Sequence, residues 1–181
     1  GHFAPAILAA SHRKSPGLAT LFVAGQLADL VFFPLAIMGV EKLRITPGIS
    51  KMNAMDLYHM PYTHSLLGNA LLALVFGLIV AAVSKQSMAG VLAGLVVLSH
   101  WLCDWLVHVP DMTLLGAPPK LGLGLWNYPW IEIPLELGIT FGALAFYAYR
   151  TRPVGPKAQI NLIVLGAVLL LVQVYNWAAP Q

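Results

Sequence analysis

Between Tyr62 and Val109 the sequence reads YTHSLLGNALLALVFGLIVAAVSKQSMAGVLAGLVVLSHWLCDWLVHV. It holds two apolar runs, 62–84 and 88–109, with a short polar break between them. Each run is long enough to cross the hydrocarbon core of a bilayer, which takes about 20 helical residues. The stretch therefore predicts two membrane-spanning helices of a polytopic, all-α membrane protein.

The composition of the whole chain also indicates a bilayer environment. Of the 181 residues, 59% are hydrophobic and 9% are charged, whereas a soluble domain carries roughly 25% charged residues. This deficit argues against a cytosolic enzyme and against a disordered tail. The ten Lys and Arg residues form no basic stripe, so we also expect no nucleic-acid partner.

Three further apolar stretches extend this pattern along the chain. We predict about five transmembrane helices in a single integral-membrane domain covering residues 1–181: 17–40, 62–84, 88–109, 131–149 and 160–177. The apolar segment from Phe3 to Ala10 is too short, because about ten helical residues cover about 15 Å, half the hydrocarbon thickness. We expect a re-entrant or half helix there, carrying His2 to mid-bilayer depth. Since the sequence begins at Gly1 rather than methionine, we expect a few residues to precede it.

The positive charges predict an orientation, because cytoplasmic loops of membrane proteins carry an excess of Lys and Arg. With five spans, six of the ten Lys and Arg fall on the side of the N-terminus: Arg13, Lys14, Lys85, Arg150, Arg152 and Lys157. The other side receives Lys42, Arg44, Lys51 and Lys120. We therefore predict a multi-pass protein of the bacterial inner membrane with a cytoplasmic N-terminus.

Ionisable side chains within the apolar stretches converge on one side of the membrane. Each costs roughly 2.5 to 3.5 kcal/mol on insertion scales and so marks a functional position by default. The alternation of the spans gathers most of them into one outer-leaflet cluster: Asp29, His59, His64, His100, Asp104, His108, Glu132 and Glu136.

The spacing within the third span indicates a metal site. His100, Asp104 and His108 recur every four residues, so all three can lie on one helix face. Neutral imidazole and carboxylate together suit Zn²⁺ or another first-row divalent metal. A site of His and Asp alone, without a cysteine pair, is more often catalytic than structural. The alternative for His100 and Asp104 is a buried hydrogen-bonded pair without a metal.

The other ionisable residues of this cluster each allow two interpretations. His59 and His64 are either metal ligands or a histidine pair near the lipid headgroups. Asp29 lies in an otherwise apolar span and needs a cation, a proton or a hydrogen-bond donor. Glu132 and Glu136 either orient imidazoles or interact with the positive end of their own helix dipole.

Four sequence elements follow one another in a recognisable order. They are Gly1-His2, Asp29 in the next hydrophobic stretch, a His-x4-His-Ser-Leu-Leu element (His59, His64, Ser65, Leu66, Leu67) and a Ser-His-x3-Asp element (Ser99, His100, Asp104). Together they resemble the bacterial family of membrane-bound, metal-dependent hydrolases, and the match covers most of the chain. Members are described as hydrolases with a likeness to zinc-dependent phospholipases. The resemblance implies metal-ligand roles for His2, Asp29, His59, His64, His100 and Asp104.

Two positions depart from the pattern of that family. Asp29 lies in Gln-Leu-Ala-Asp-Leu without a Pro-Asp-x-Asp doublet, and Met60 follows His59 where family members carry arginine. The missing aspartate would be a ligand of a two-metal site, and the missing arginine would be an anion clamp. These departures favour a subfamily with one metal ion or none.

The first functional hypothesis is a membrane-embedded, metal-dependent hydrolase with its site in the outer leaflet. It would act on a lipid-linked or amphipathic ester or phosphoester that enters from the bilayer. A divalent ion, with Zn²⁺ as the first candidate, would be held by His64, His100 and Asp104, with help from His59 and Asp29. An unligated carboxylate, Asp29 or Glu136, would serve as the catalytic base.

The second hypothesis is a non-catalytic accessory subunit of a larger photosynthetic or respiratory membrane complex. Its histidines would then be structural, pigment-binding or vestigial. Small residues suited to close helix contacts support this interpretation: Gly68, Ala70, Ala73, Gly77, Gly90, Ala93 and Gly94. A third hypothesis is a proton-coupled transporter with Asp29 as the relay, although five spans without a repeat are few for that task.

Overall fold

The chain forms a bundle of α-helices in a computed structural model that describes residues 1–178. The helices are α1 (Phe3–Ala10), α2 (Leu18–Gly25), α3 (Leu27–Ile37), α4 (Leu66–Ser84), α5 (Ser87–Val107), α6 (Pro129–Thr151) and α7 (Pro156–Ala178). Four of them, α4 to α7, are long and apolar enough to cross a membrane. The number rises to five when α2 and α3 count as one bent span. The predicted polytopic helical fold is confirmed.

Helices α4 and α5 make the most extensive contact between elements. The second predicted span begins at Leu66 rather than at residue 62, because the hydroxyl of Ser65 caps α4 by accepting a hydrogen bond from the Gly68 amide. Lys85 ends α4 in the left-handed conformation, with φ at 55°. The next helix then starts at Ser87, so α4 and α5 run antiparallel side by side.

Small residues let α4 and α5 approach each other closely. Gly77 of α4 lies against the carbonyl oxygen of Gly90 in α5, and Gly94 of α5 lies against the carbonyl oxygen of Ala73 in α4. A Cβ atom at either glycine would crowd the facing backbone. The Gly- and Ala-rich faces seen in the sequence are therefore used inside the chain, in contacts typical of membrane helix pairs.

The first predicted span, residues 17–40, consists of two helices. Helices α2 and α3 meet at an angle of 47°, at Gln26, whose φ and ψ of −110° and 5° lie outside the helical region. Gly25 at this bend lies against the backbone oxygen of His2, where a larger residue would crowd it. The bend thus accommodates the start of α1, the short N-terminal helix that the sequence predicts, and α1 also packs against α5 and α6.

Two short β-hairpins, which the sequence analysis did not predict, connect the helices at one end of the bundle. Strands β1 (Lys42–Ile45) and β2 (Met55–His59) pair antiparallel between α3 and α4, as do β3 (Met112–Thr113) and β4 (Lys120–Leu121) between α5 and α6. An apolar cluster ties both hairpins to α3 and α5: Phe32, Leu57, Met60, Trp101 and Met112. The hairpins therefore form a layer over the ends of the helices where the polar residues lie.

The outer surface of the long helices is apolar. Large side chains such as Leu78 and Val83 of α4 and Ile163 and Leu171 of α7 are exposed. In a multi-pass membrane protein such a surface contacts lipid, and the backbone polar groups are satisfied within each helix. Polar residues are instead concentrated in the interior, near the hairpin layer.

Candidate metal centre

Two overlapping groups of side chains could each hold a metal ion. One is His2, His100 and Asp104, and the other is Asp29, His64 and His100. In each group the nitrogen and oxygen atoms that would bind the ion lie within 4.8 Å of one another. The residues come from the start of α1, the first turn of α3, the entrance of α4 and the second half of α5. We call these five residues the metal centre.

The distances between these atoms suit a small divalent ion. His64 Nε2 lies 3.4 Å from Asp29 Oδ1 and 3.5 Å from Asp104 Oδ2. His100 Nε2 lies 3.6 Å from Asp29 Oδ1 and 3.0 Å from Asp104 Oδ2. In tetrahedral zinc sites the bonds to nitrogen and oxygen are roughly 2.0 to 2.2 Å long, which separates neighbouring ligand atoms by about 3.4 Å. The four separations lie near this spacing, so these atoms could hold a small divalent cation.

Two buried atoms of the metal centre lack hydrogen-bond partners among the described residues. They are Nε2 of His100 and Oδ2 of Asp104, on side chains that are 1% and 4% exposed. Leaving a buried polar group unpaired costs about 1 to 3 kcal/mol. These two atoms are 3.0 Å apart, and both are hydrogen-bond acceptors when the imidazole is neutral and its Nδ1 donates to Gly25. A cation between them would satisfy both.

The bend between α2 and α3 orients His100. The carbonyl oxygen of Gly25, at the end of α2, accepts a hydrogen bond from His100 Nδ1 at 2.8 Å. Because Nδ1 carries the proton, the lone pair of Nε2 is free to bind a cation. A hydrogen bond of this kind to a backbone carbonyl is the usual support of a metal-binding histidine.

His64 is oriented by a chain of two hydrogen bonds that ends at Glu41. The hydroxyl of Thr63 donates to Glu41 Oε2 at 2.6 Å and accepts from His64 Nδ1 at 2.7 Å. Glu41 is completely buried and also accepts from the backbone amides of Tyr62 and Thr63. This arrangement places the proton of His64 on Nδ1 and turns Nε2 toward Asp29 and the rest of the metal centre.

The sequence analysis did not identify Glu41 or Thr63 as functional. Glu41 follows directly after an apolar stretch, where a charged residue normally marks a helix end at the water boundary. Nothing in the sequence indicates that it folds back 22 positions to reach Thr63. The available signal was Thr63 beside His64, since a hydroxyl next to a ligand histidine can orient it.

His108, at the C-terminal end of α5, is also part of this region. It is 4% exposed, its Nδ1 lies 3.2 Å from both carboxylate oxygens of Asp111, and its Nε2 lies 3.7 Å from Asp104 Oδ1. Burial lowers the pKa of His108, but the hydrogen bond to Asp111 and the charges of Asp104 and Asp111 outweigh burial and raise it above the usual value. His108 thus connects the metal centre to Asp111.

Besides His108, three of the residues singled out in the sequence lie outside the metal centre. His59 is exposed at the end of β2, opposite Lys42, and belongs to neither group. Glu136 contacts the backbone nitrogen of Gly1 and the side-chain amide of Gln173. Glu132 is 2% exposed, and its Oε2 has no hydrogen-bond partner among residues 1–178.

The metal centre opens onto a cavity of about 610 Å³. His2, Asp29, His64 and Asp104 line one part of it. Apolar side chains from α3, α6 and α7 line much of the rest: Phe32, Phe33, Leu135, Ile139, Leu169 and Val172. A cavity of this size, with apolar walls and a few convergent polar groups, is typical of small-molecule sites.

No protein-family model, curated protein or solved structure matches this chain. The resemblance to the membrane-bound, metal-dependent hydrolases therefore stays an expectation, and the candidate site rests on its own geometry.

Proposed function

We propose that this membrane protein is a metal-dependent hydrolase that cleaves an ester or phosphoester bond in a lipid-linked or amphipathic substrate. The observation that carries the proposal is the pair of unpartnered, buried atoms, His100 Nε2 and Asp104 Oδ2, beside a cavity with apolar walls. The unpaired atoms favour a bound cation. The apolar walls favour a substrate with a hydrocarbon part.

The residues present would hold a divalent ion through imidazole and carboxylate atoms, a donor set that suits Zn²⁺. His64, His100 and Asp104 are the main ligands, with His2 and Asp29 completing the set. Such an ion supplies Lewis acidity and makes water a stronger nucleophile at neutral pH. The exposed position of His59 gives no support to the ligand role that the family resemblance implies for it.

The chain's own side chains would handle the protons of the reaction. Asp29 is partly exposed and lines the cavity. Its Oδ1 faces His64 and His100 and would be the ligand atom, so its other oxygen, Oδ2, would accept a proton from the attacking water. The contacts of Glu136 with Gly1 and Gln173 make it the weaker candidate for this base. His108, held by Asp111, can carry a proton at Nε2 for the leaving oxygen.

We place the site on the outer side of the bacterial inner membrane. This part of the proposal rests on the excess of Lys and Arg on the opposite side, where the N-terminal charges lie. A substrate from the outer leaflet would then reach the cavity without crossing the membrane. The accessory-subunit hypothesis gains no support from the small residues, because Ala73, Gly77, Gly90 and Gly94 pack within the chain.

Elemental analysis of the detergent-purified protein tests the metal. We expect about one or two equivalents of zinc, manganese or iron in the wild type, and loss of metal in His100→Ala and His64→Ala. His59→Ala is the matched control, since it removes an imidazole outside the metal centre and should keep the metal. Full metal content in His100→Ala, or a metal-free wild type, would refute the proposal.

A further inference from the structure

A second polar surface lines the same cavity on α6. Glu132, Glu136 and Thr140 recur every four residues, so they share one face of the helix. All three line the cavity, as do Gln173 and Asn176 of α7. Carboxylates within membrane-spanning helices are costly and mark binding or transport positions. Neither glutamate belongs to the groups of residues 1–178 that could hold a metal ion.

Glu132 has a buried carboxyl oxygen without a hydrogen-bond partner among the described residues, and a ligand in the cavity could supply one. Its side chain lies on the cavity wall, the residue is 2% exposed, and its Oε2 has no hydrogen-bond partner among residues 1–178. The described residues that line the cavity include no lysine or arginine. A carboxylate that is buried without a donor or a cation is strongly unfavourable. Among the described residues, no lysine or arginine of the cavity wall therefore complements Glu132.

The neighbouring Glu136 indicates which kind of group fits. Its two oxygens contact nitrogen donors, the backbone nitrogen of Gly1 and the side-chain amide of Gln173. This part of the wall thus accommodates N–H groups against carboxylates. A protonated amine offers N–H donors and a positive charge together, which is what an unpaired carboxylate binds most strongly.

The carboxylate surface and the metal centre lie close together. Gly1 contacts Glu136, and the next residue, His2, donates a hydrogen bond from Nε2 to Asp104 Oδ1 at 2.8 Å. Adjacent Cα atoms in a chain are about 3.8 Å apart. One molecule in the cavity can therefore reach both places at once.

We propose that Glu132, with Glu136 beside it, binds a protonated primary amine of the substrate while the apolar walls hold its hydrocarbon part. The substrate class is then an amphipathic molecule that carries an amine near the bond to be cleaved. The inference rests on the proposed function for the cavity being the substrate site. The amine is either part of a lipid headgroup or the end of a free long-chain amine, and both offer the same chemistry to Glu132.

The test compares two probes that differ in their head group alone. The full chain is purified in an uncharged detergent, stripped of metal with a chelator and titrated at neutral pH with dodecylamine or dodecanol in a calorimeter. We expect the wild type to bind the amine about ten- to a hundredfold more tightly than the alcohol, as a buried charge-assisted hydrogen bond predicts. Because no metal is present, a failure of the metal proposal does not affect this result.

Two variants test whether Glu132 causes the preference for the amine over the alcohol. Glu132→Gln should remove most of it, whereas Asp56→Asn, which removes a carboxylate on β2 away from the cavity lining, should retain it. Equal binding of the two probes by the wild type would overturn the inference. A preference that survives in Glu132→Gln would overturn it too, because the amine would then bind to a group other than Glu132.

The wild type alone gives a second test in case Glu132→Gln does not fold. Dodecyltrimethylammonium has the charge of the protonated amine but no N–H donor, and we expect it to bind more weakly than dodecylamine. Equal binding would contradict the hydrogen bond to Glu132. In nanodiscs, competition by phosphatidylethanolamine but not by phosphatidylcholine would support the inference with a lipid headgroup as the source. If phosphatidylethanolamine does not compete while dodecylamine still binds, the result would support the inference with a free long-chain amine as the source.

Discussion

His64 shows how single residues prepare the metal centre. Its imidazole is 2% exposed and lies between Thr63 on one side and Asp29 on the other. The hydroxyl of Thr63 has one proton, which it gives to Glu41, so it can only accept from His64 Nδ1. The tautomer of His64 is therefore set by the buried carboxylate of Glu41, which His64 reaches through the hydroxyl of Thr63. Such support typically raises metal affinity 10- to 100-fold.

Removing the hydroxyl of Thr63 tests this role. We expect Thr63→Val to lower the affinity for zinc by about 10- to 100-fold, because His64 loses the acceptor that fixes its tautomer. The measurement is competition for zinc against a chelating dye. Thr63→Ser keeps the hydroxyl and should bind zinc nearly as tightly as the wild type. Equal affinity of Thr63→Val and the wild type would show that the hydrogen bond does not support metal binding.

At the scale of elements, the sequence predicted the long helices well and the connections poorly. An apolar run of about 20 residues is a local signal, so α4 and α5 could be read directly from the residues 62–109. The strands of the hairpins β1–β2 and β3–β4 have two to five residues, too few for a clear local pattern, and their buried apolar side chains pack against Phe32 and Trp101. The bend at Gln26 likewise follows from the close approach of His2 to Gly25.

The pairing of α4 and α5 can be tested at Gly90. A Cβ there would collide with the Gly77 carbonyl and with Ala81, so we expect Gly90→Ala to lower the free energy of unfolding by about 1 to 3 kcal/mol. The measurement is thermal unfolding in detergent.

Gly138→Ala is the matched control for Gly90→Ala. No atom lies within 4 Å of a Cβ built at Gly138, which is also helical. We expect no destabilisation there and a gain of up to about 1 kcal/mol, since alanine favours the helix. If both variants unfolded at the wild-type temperature, the close contact between α4 and α5 would not contribute to stability.

For the whole molecule, both β-hairpins, the metal centre and the cavity belong to the end where α3 and α5 finish and α4 and α6 begin. Lys120 lies at this end, and Lys85 lies at the other, between α4 and α5. The orientation of the molecule therefore decides which compartment the site faces.

Cysteine labelling tests the orientation. In a Cys103→Ser background, we expect Lys120→Cys to react with a membrane-impermeant maleimide in spheroplasts and Lys85→Cys to react only after the membrane is opened. The reason is the excess of Lys and Arg on the side of Lys85, which favours the cytoplasm. The reverse labelling pattern would place the site on the cytoplasmic side.

The sequence by itself determined that the chain spans a membrane several times, because bilayer thickness sets the length of each apolar run and the backbone must bond within each helix. It also predicted that ionisable residues would gather on one side, because successive spans run in alternating directions, and that they mark function, because burying them in lipid is costly. The tertiary structure decided which of them meet. It brought His2, Asp29, His64, His100 and Asp104 together, left His59 exposed, and added Glu41 and Thr63 as the groups that orient His64. These contacts join residues up to about a hundred positions apart, and they depend on a bend and two hairpins that local hydropathy does not encode.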